Sequence, residues 1–553
     1  MNSTNSDSAC LRLVPLGGLG EIGMNCLALE VDGSILVIDC GAAFPDDDLG
    51  IDVWHPDFSW LRQRADRIAG VFLTHGHEDH VGALPYLLRE LEVPVFGPPH
   101  ALGVARRRLA EHDFSAGELD LREAFPGVTY ELGGFEVEPV RVAHSIIEAS
   151  ALRVRTSAGT LVHSGDFNLD PDPPDGEPTN EARLAAIGDE GVAVLLSDST
   201  NIDVPVRAGS ERSVGHALEE LIGRAPERVV IALFASNIQR LILLGDIAKR
   251  TGRKICLMGR SLETQVAVAS DISRLRWPSN LLISQDQARE LPRNQLLALA
   301  GGTQAEKNSA MRRIAEGIHP HLTLEPDDTV IFSSRVIPGN DRPVIGMINT
   351  LLRAGIRVHS RITDPAVHTS GHAGRSEQQR MIELIRPRCF LPVHGTLHHM
   401  LRHAELAQSL GIAQTLVVEN GTPVVCDGET LKAEPPVAHG RVPIAIGGET
   451  LNADVLRLRA ELGRTGFAVI SVVLDKKKRL AAAPEVSTKG IPNVDGSSDA
   501  KRVVAREVAR AAESYKDGSG LDFLDTLRRT ARRRLEDLSG TRPVVEVQIV
   551  NLD

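Results

Sequence analysis

Short apolar runs separated by glycine-rich turns dominate the first part of the chain. Residues 10–16, 25–31 and 34–39 predict strands of a mostly antiparallel sheet, with GGLGEIG as a turn between the first two. The apolar run 67–73 leads directly into THGHEDH, after which ALPYLLREL has helical spacing. The cluster THGHEDH is therefore expected on a loop between a strand and a helix.

From about residue 201 the pattern changes to alternating strands and helices. Residues 229–234, 254–258, 280–284 and 329–333 predict short buried strands with helical stretches between most of them, which is typical of a parallel α/β unit. At 390–393 a strand again ends in a histidine, so the chain is expected to return there to its first domain. A later strand, two charged helices and the final strand VVEVQIV predict a small α/β domain.

These changes of pattern divide the chain into six segments. A disordered tail at 1–10 is followed by a first domain at 11–205, which 366–433 completes after an inserted domain at 206–365. A linker at 434–449 then leads to a C-terminal domain at 450–553. The length of 553 residues agrees with several domains, because a domain averages roughly 150 residues.

The composition is that of an ordinary globular protein, with 42% hydrophobic and 24% charged residues. No stretch approaches the roughly 18 consecutive apolar residues of a membrane span, so no membrane partner is expected. The polar start MNSTNSDSAC lacks the apolar core of a secretion signal, and the six cysteines include no C-x-x-C pair. Such dispersed cysteines exclude a thiolate zinc module and a disulfide scaffold, and they indicate a cytoplasmic protein.

The charge balance leaves the partner open. A formal net charge of −12 argues against nucleic acid, since phosphate binding needs local positive charge. The basic residues are nevertheless 51 Arg and only 10 Lys, and arginine binds phosphates with a planar fork of donors. A codon bias toward arginine accounts for this excess equally well.

The clearest candidate for chemistry is the H-x-H-x-D-H cluster formed by His75, His77, Asp79 and His80. Imidazole and carboxylate ligands at this spacing suit Zn²⁺, with Mn²⁺ as the alternative, and a single ion would leave some of the groups without a role. Two ions need further ligands, and the sequence offers His144, Asp166 and His394 at the ends of predicted strands. The alternative is a polar loop whose histidines only form hydrogen bonds.

Several motifs together resemble a known family. THGHEDHVGALPYLL, with GGLGEIGMN before it and SGDF after it, resembles the metallo-β-lactamase superfamily. SDSTN, FASNIQR, IPGN, HTSGHA and LPVHG narrow the resemblance to the β-CASP nucleases, and specifically to the ribonuclease J family. The resemblance implies an αββα metallo-β-lactamase sandwich with an inserted parallel α/β β-CASP domain and a small C-terminal α/β domain.

The resemblance also implies a complete set of metal ligands. His75, His77 and His144 would hold one ion, Asp79, His80 and His394 the other, and Asp166 would bridge the two. A bridging hydroxide would be the nucleophile. None of the seven ligand positions is missing, so an active enzyme is expected, with Asp79 and Asp166 among its catalytic residues.

Further site residues follow from the same resemblance. His372 would lie near the scissile phosphate as a catalytic and substrate-binding residue, and Ser370 and Gly371 would form a phosphate-binding turn. Ser236 and Asn237 would contact the RNA. Glu211 would be the acidic residue of the β-CASP set, with a solvated position in a helical first turn as the alternative. Asn168 replaces a lysine that is common in relatives and removes a positive charge beside the site.

The expected function is hydrolysis of RNA phosphodiesters in RNA maturation and decay, as a 5′-to-3′ exonuclease that favours 5′-monophosphate ends, with endonuclease activity as well. His394 favours RNA over DNA, because β-CASP enzymes that act on DNA typically carry valine there. The alternatives are an inactive scaffold subunit of a paired nuclease and a small-molecule hydrolase of the superfamily. By the same resemblance, the arginine-rich C-terminal segment indicates a homodimer or homotetramer, with a solvated helix face as the alternative.

Overall fold

A computed structural model describes residues 10–45, 49–337, 339–515 and 520–552. The tail expected at 1–10 lies outside these residues except for Cys10, and the IPGN motif lies within them except for Pro338. The chain forms two compact units, which are treated separately: the described residues of 1–46 and 53–442, and those of 47–52 and 443–553. No helix within the described ranges has the length and apolar character that a membrane crossing requires.

The elements of the chain up to residue 205 are, in order, β1 (Leu11–Gly17), β2 (Leu19–Gly20), β3 (Cys26–Val31), β4 (Ser34–Ile38), β5 (Ile51–Pro56), α1 (Ser59–Arg62), β6 (Ile68–Phe72), α2 (Glu78–Val81), α3 (Leu84–Glu90), β7 (Val95–Gly97), α4 (Pro99–Glu111), β8 (Leu121–Glu123), β9 (Tyr130–Leu132), β10 (Phe135–Arg141), β11 (Ser150–Thr156), β12 (Gly159–His163), α5 (Glu181–Glu190) and β13 (Val194–Asp198). Short 3-10 turns occupy Ala65–Arg67 and Ala116–Glu118.

The next stretch contains α6 (Glu211–Arg224), β14 (Val229–Ala232), α7 (Ile238–Thr251), β15 (Lys254–Met258), α8 (Arg260–Asp271), β16 (Leu282–Ile283), α9 (Gln285–Glu290), β17 (Leu296–Ala300), α10 (Ala310–Ala315), β18 (Thr329–Phe332), α11 (Asp341–Arg353) and β19 (Arg357–Ser360), with 3-10 turns at Arg293–Gln295 and Pro365–Val367. It is followed by α12 (Arg375–Ile385), β20 (Cys389–Val393), β21 (Gly395–Thr396), α13 (Leu397–Ser409), β22 (Gln414–Thr415), β23 (Val424–Cys426) and β24 (Leu431–Ala433).

Two sheets pack face to face in the first unit. Their strand orders are β24-β23-β1-β3-β4-β6-β7-β8 and β22-β20-β13-β12-β11-β10-β9. Apolar side chains of both sheets, such as Leu29, Phe135 and Leu391, form a common core between them. Helices α5, α12 and α13 cover the outer face of the second sheet, and α4 packs against β7 and β8 of the first. The resulting architecture is an αββα sandwich.

The return of the chain to this sandwich is visible in the strand register. β20 pairs in parallel with β13, so that Asp198 lies beside Val393, and β13 pairs in parallel with β12. In the other sheet β4 and β6 are also parallel, with Ile38 beside Phe72. The carboxyl ends of parallel strands meet at one edge of a sheet, so the polar residues that follow these strands are brought together there.

The inserted part is a third sheet with helices on both faces. Its six strands are all parallel, in the order β16-β15-β17-β14-β18-β19. Helices α6, α7 and α8 pack on one face, and α10 and α11 pack on the other. This parallel sheet agrees with the pattern of alternating strands and helices. Two strands, β17 and β19, were not among the predicted ones, and the run 280–284 yields only the two-residue strand β16.

The second unit contains β25 (Arg441–Ala445, which begins at the boundary and lies within the range expected as a linker), α14 (Ala453–Thr465), β26 (Phe467–Leu474), β27 (Glu485–Lys489), α15 (Ser498–Ser514), α16 (Gly520–Ser539) and β28 (Val544–Asn551). β26 is central, with β27 antiparallel on one side and β28 parallel on the other. α15 and α16 cover this sheet with an apolar core of their own.

A buried ion pair joins α6 to α7 inside the inserted part. Glu211 accepts hydrogen bonds from the guanidinium of Arg240 at 2.7 and 3.1 Å, and Arg240 also donates to Ser333. Both side chains are buried, with Arg240 0% exposed. Buried charges need such partners because transfer out of water costs several kcal/mol per ion.

We predict that Arg240→Ala lowers the free energy of unfolding by about 3–5 kcal/mol, because the Glu211 carboxylate is then left buried without a counterion. A urea titration followed by circular dichroism measures the loss. The matched control is Arg250→Ala, which removes an exposed pair with Glu219 between the same two helices and is expected to cost less than about 1 kcal/mol. Equal losses in the two variants would contradict the prediction.

Candidate metal centre

The histidine and aspartate residues of the site stand at the ends of strands from both sheets of the sandwich. His75 and His77 follow β6, and His77 is the N-cap of α2, which carries Asp79 and His80. His144 follows β10, Asp166 follows β12, and His394 follows β20. Except for His77 and Asp79, which are half-buried, all of these side chains are buried. The structure therefore brings together all seven residues that the sequence indicated as metal ligands.

Three imidazoles and one carboxylate form the first donor group. His77 Nδ1 lies 3.0 Å from His75 Nε2 and 3.2 Å from His144 Nε2. Asp166 Oδ2 lies 3.8 Å from His75 Nε2 and 3.9 Å from His144 Nε2. One ligand atom from each of these four residues falls within 4.8 Å of the others, which is the spacing expected around one cation.

The second donor group shares Asp166 with the first. Asp166 Oδ2 lies 3.3 Å from His80 Nε2, and Asp166 Oδ1 lies 3.4 Å from His394 Nδ1. Asp79 Oδ2 lies 3.3 Å from His394 Nε2 and 3.7 Å from His80 Nε2. Because Asp166 belongs to both groups, it is the residue that can bridge two ions.

Outer partners orient these ligands. His80 Nδ1 lies 2.8 Å from Asp39 Oδ2, and the hydroxyl of Thr74 also donates to Asp39. His144 Nδ1 lies 2.7 Å from the carbonyl oxygen of Gly371. Such contacts hold the ring and leave Nε2 as the ligand atom, as in metal sites whose histidines donate their second N–H to a carboxylate or carbonyl group. No motif in the sequence indicated this role for Asp39.

The electrostatics of the two groups differ. Burial lowers the pKa of His77 to about 4 and that of His75 well below its usual range, so these imidazoles are neutral. Against the effect of burial, the Asp166 carboxylate raises the pKa of both His80 and His394 well above the usual value. Neutral imidazoles and ionised carboxylates converging in a buried site fit divalent cations, which would replace the protons on His80 and His394.

A third donor group contains Asp198, which is not among the predicted site residues. Asp198, at the end of β13, lies 2.8 Å from His372 Nδ1 through Oδ2 and 3.4 Å from His394 Nδ1 through Oδ1. Asp166 completes this group. The sequence does contain a signal for Asp198, because SDSTN follows the apolar run VAVLL at 192–196 and its aspartate is the first charged residue after that run.

The turn at residues 370–372 is tied to the metal centre by its backbone. The Gly371 carbonyl accepts from Asn168 Nδ2 at 3.0 Å as well as from His144. A Cβ at Gly371 would lie 2.7 Å from Ser145 Oγ and 2.9 Å from a ring carbon of His144, so only glycine fits without displacing that ligand. Ser370 Oγ accepts from Asn201 Nδ2 at 2.7 Å. The hydrogen bond from Asn168 to the Gly371 carbonyl joins residues far apart in the chain, so the sequence could not indicate it.

The remaining candidates from the inserted part lie where α6 and α7 begin: Glu211 is the first residue of α6, and Asn237 is the N-cap of α7. Asn237 is buried, caps α7 by accepting from the Arg240 amide, and donates to Glu211 at 3.2 Å. Ser236 beside it is half-buried. Glu211 belongs to none of the three donor groups and is not solvated, since it pairs with Arg240. Asp198, rather than Glu211, is the additional acidic residue at the metal centre.

Comparisons with known proteins agree with this architecture. Family models match in four places: the metallo-beta-lactamase superfamily over 19–232, the ribonuclease J beta-CASP domain over 226–351, the Zn-dependent metallo-hydrolase RNA specificity domain over 355–418, and the ribonuclease J C-terminal domain over 454–552. A solved structure of a protein of unknown function from Enterococcus faecalis is similar in fold, with a TM-score of 0.54 at 16% identity over 75% of this chain and 100% of that one.

Curated relatives are similar over almost the whole chain. Ribonuclease J 1 of Streptococcus pyogenes is 34% identical over 97% of this chain and 97% of its own length. Ribonuclease J of Mycobacterium tuberculosis is 34% identical over 99% of this chain and 98% of its own length. Ribonuclease J of Helicobacter pylori is 34% identical over 96% of this chain and 76% of its own length.

We predict that Asp166→Asn lowers the metal content more than any single histidine substitution, because Asp166 belongs to both metal-binding groups. Elemental analysis of the purified chain is expected to give about two ions for the unaltered protein, and His77→Ala is expected to lose the first ion preferentially. His372→Ala is expected to keep both. The control is His398→Ala, which removes an exposed histidine paired with Asp203. Full metal content in Asp166→Asn would contradict the bridging assignment.

Proposed function

The chain belongs to the ribonuclease J family, and we propose that it acts as a two-metal 5′-to-3′ exoribonuclease that prefers 5′-monophosphate ends and also cleaves internally. It is a metal-dependent ribonuclease with a metallo-β-lactamase fold and a β-CASP insertion. The observation that carries the finer proposal is the pair of buried donor groups that share Asp166. The proposed role is RNA maturation and decay.

We assign two divalent ions to the centre. His75, His77 and His144 would hold one, Asp79, His80 and His394 the other, and Asp166 would contact both. Zinc is the proposed ion, with manganese as the alternative, because imidazole and carboxylate ligands suit both. When bound, two divalent ions lower the pKa of a water to supply a nucleophile and stabilise the charge on the attacked phosphate. Asp79 and Asp166 thus act through metal binding.

His372 is the proposed general acid. Its Nδ1 is held by Asp198 at 2.8 Å, which orients the ring and leaves Nε2 available for the substrate. Burial opposes protonation, but the Asp198 and Asp166 carboxylates outweigh it and raise the pKa of His372. A protonated imidazole near neutral pH can give its proton to the leaving oxygen. Asp198 is accordingly proposed as a positioning residue.

The turn of Ser370, Gly371 and His372 is the proposed phosphate-binding turn, and Ser236 and Asn237 are proposed to contact the RNA. The Asn237 side chain is held by Glu211 and the Arg240 amide. We therefore propose that Asn237 acts mainly by fixing the start of α7, while the half-buried Ser236 offers its hydroxyl.

Arg335 supports the preference for a 5′-phosphate. Its guanidinium donates to Asn201 Oδ1 at 2.9 Å, and Asn201 in turn donates to Ser370 and to the carbonyl of His372. Arg335 is half-buried, and within the described part of the chain no carboxylate lies within salt-bridge distance of it. Burial and the neighbouring Arg361 lower the pKa of Arg335. A bound anion would offset both effects, because it stabilises the charged guanidinium. We propose that this anion is the terminal phosphate.

Assembly and compartment are also proposals. We propose a homodimer or homotetramer on the basis of family membership. We propose a cytoplasmic location because the six cysteines are dispersed along the sequence, which suits a reducing compartment.

Time courses on end-labelled RNA in defined metals test the exonuclease proposal. We expect mononucleotides to appear from the 5′ end, faster with a 5′-monophosphate than with a 5′-triphosphate. Asp79→Ala is expected to abolish turnover, and His372→Ala to slow it by about 10²- to 10⁴-fold. Activity confined to internal cuts would contradict the exonuclease assignment. Absence of RNA cleavage by a metal-loaded chain would support the inactive scaffold, and hydrolysis of a thioester at the rate of RNA would support the small-molecule hydrolase.

We predict that Arg335→Gln raises KM for 5′-monophosphorylated RNA by about 10- to 100-fold, the equivalent of one lost charge-assisted contact of about 1.5–3 kcal/mol. The effect on 5′-hydroxyl RNA should be much smaller, so the preference for the phosphate is lost. Steady-state kinetics on both RNA substrates give the two KM values. Arg353→Gln, at the exposed end of α11, is the control. An equal rise in KM for the 5′-monophosphorylated and the 5′-hydroxyl RNA would indicate that Arg335 contacts an internal phosphate instead.

A further inference from the structure

A run of four basic residues, 476–479, forms a tight turn after β26 in the second unit, and we call it the basic turn. Its backbone is held by Asp475, whose Oδ1 accepts from the amides of Lys477 and Arg479, both at 2.8 Å. The Asp475 amide donates to the Arg479 carbonyl, which closes the turn. The lysines are therefore presented on a defined backbone.

The charges of this turn are largely uncompensated. Arg479 pairs with Asp475 at 3.1 Å. Lys476, Lys477 and Lys478 are all exposed, and no carboxylate among the described residues lies within salt-bridge distance of their ammonium groups. Residues 443–553 contain 19 basic and 16 acidic residues, a net charge of +3 in a chain whose total is −12. The turn is thus a local positive site on an acidic protein.

The chemistry of the turn fits the phosphates of RNA. Three consecutive lysines supply point charges without the planar fork that reads base edges. Residues 471–489 contain no aromatic side chain on which a base could stack. Protein interfaces, in contrast, are depleted in lysine and enriched in aromatic residues and arginine. The composition therefore favours sequence-independent contact with a phosphate backbone over an acidic protein partner.

We propose that the basic turn is an accessory site for the RNA backbone, which binds a part of the substrate other than the part at the metal centre. The proposal rests on the ribonuclease function described above. An accessory site of this kind provides the local attraction that the net charge of the chain does not. Because it contacts phosphates alone, it adds affinity for long RNA of any sequence.

The test is the combined variant Lys476→Gln/Lys477→Gln/Lys478→Gln in an Asp79→Asn background, titrated with labelled oligouridylates of increasing length at several salt concentrations. Three lost phosphate contacts should reduce the slope of log K against log salt by about 2 to 3 and weaken binding of long RNA by about 10- to 100-fold at 0.1 M salt. The loss of binding affinity should increase with the length of the RNA.

The matched control removes three exposed basic residues elsewhere in the same unit, Lys489→Gln/Arg506→Gln/Arg542→Gln. Equal losses in both combined variants, or no loss in the variant of the basic turn, would overturn the proposal. Loss of binding to a polyglutamate probe without loss of RNA binding would indicate an acidic protein partner and would also overturn it. RNA cleavage by the otherwise unaltered chain tests the proposed function separately, so the two failures are distinguishable.

Discussion

The shared carboxylate of Asp166 is the contact on which the site depends. Asp166 is buried, Asp79 and Asp198 lie nearby, and six histidines converge on the same space. Several carboxylates in a dry site repel one another unless positive charge lies between them. In the chain alone that charge comes from protonated His80 and His394, and divalent ions would supply it more strongly. Metal binding and correct placement of the surrounding loops are therefore coupled.

That carboxylate can be shared only because distant parts of the chain end at one edge of the sandwich. β12, β13 and β20 are adjacent and parallel. Asp166 follows β12, Asp198 is the last residue of β13, and His394 follows β20. β20 reaches this position after the whole inserted part. The turn at 370–372 is attached to the same edge through the Gly371 carbonyl, which binds His144 and Asn168. A change in the placement of the inserted part would thus move candidate metal ligands as well as this turn.

Charge is distributed locally rather than uniformly. The chain carries a net charge of −12, so the whole molecule does not attract RNA. Positive charge that lacks a carboxylate partner is instead found at particular positions, such as Arg335 beside the turn and the lysines of the basic turn. Other arginines serve the fold, as Arg240 does in its pair with Glu211. The arginine excess in the sequence therefore has at least two different uses.

Seven of the donor residues could be predicted from the sequence: H-x-H-x-D-H after an apolar run, and three further histidine or aspartate residues at strand ends. The alternating elements of the insertion could be predicted as well. Those features depend on residues that are close in sequence, so the local pattern of apolar and polar residues is enough to predict them. Strand β17 was missed because its five apolar residues, LLALA, suit a buried helix equally well. The contact of Asp198 with His372 and that of Glu211 with Arg240 could not be predicted from the sequence. These contacts join residues 174 and 29 positions apart, and folding, rather than sequence spacing, brings such residues together.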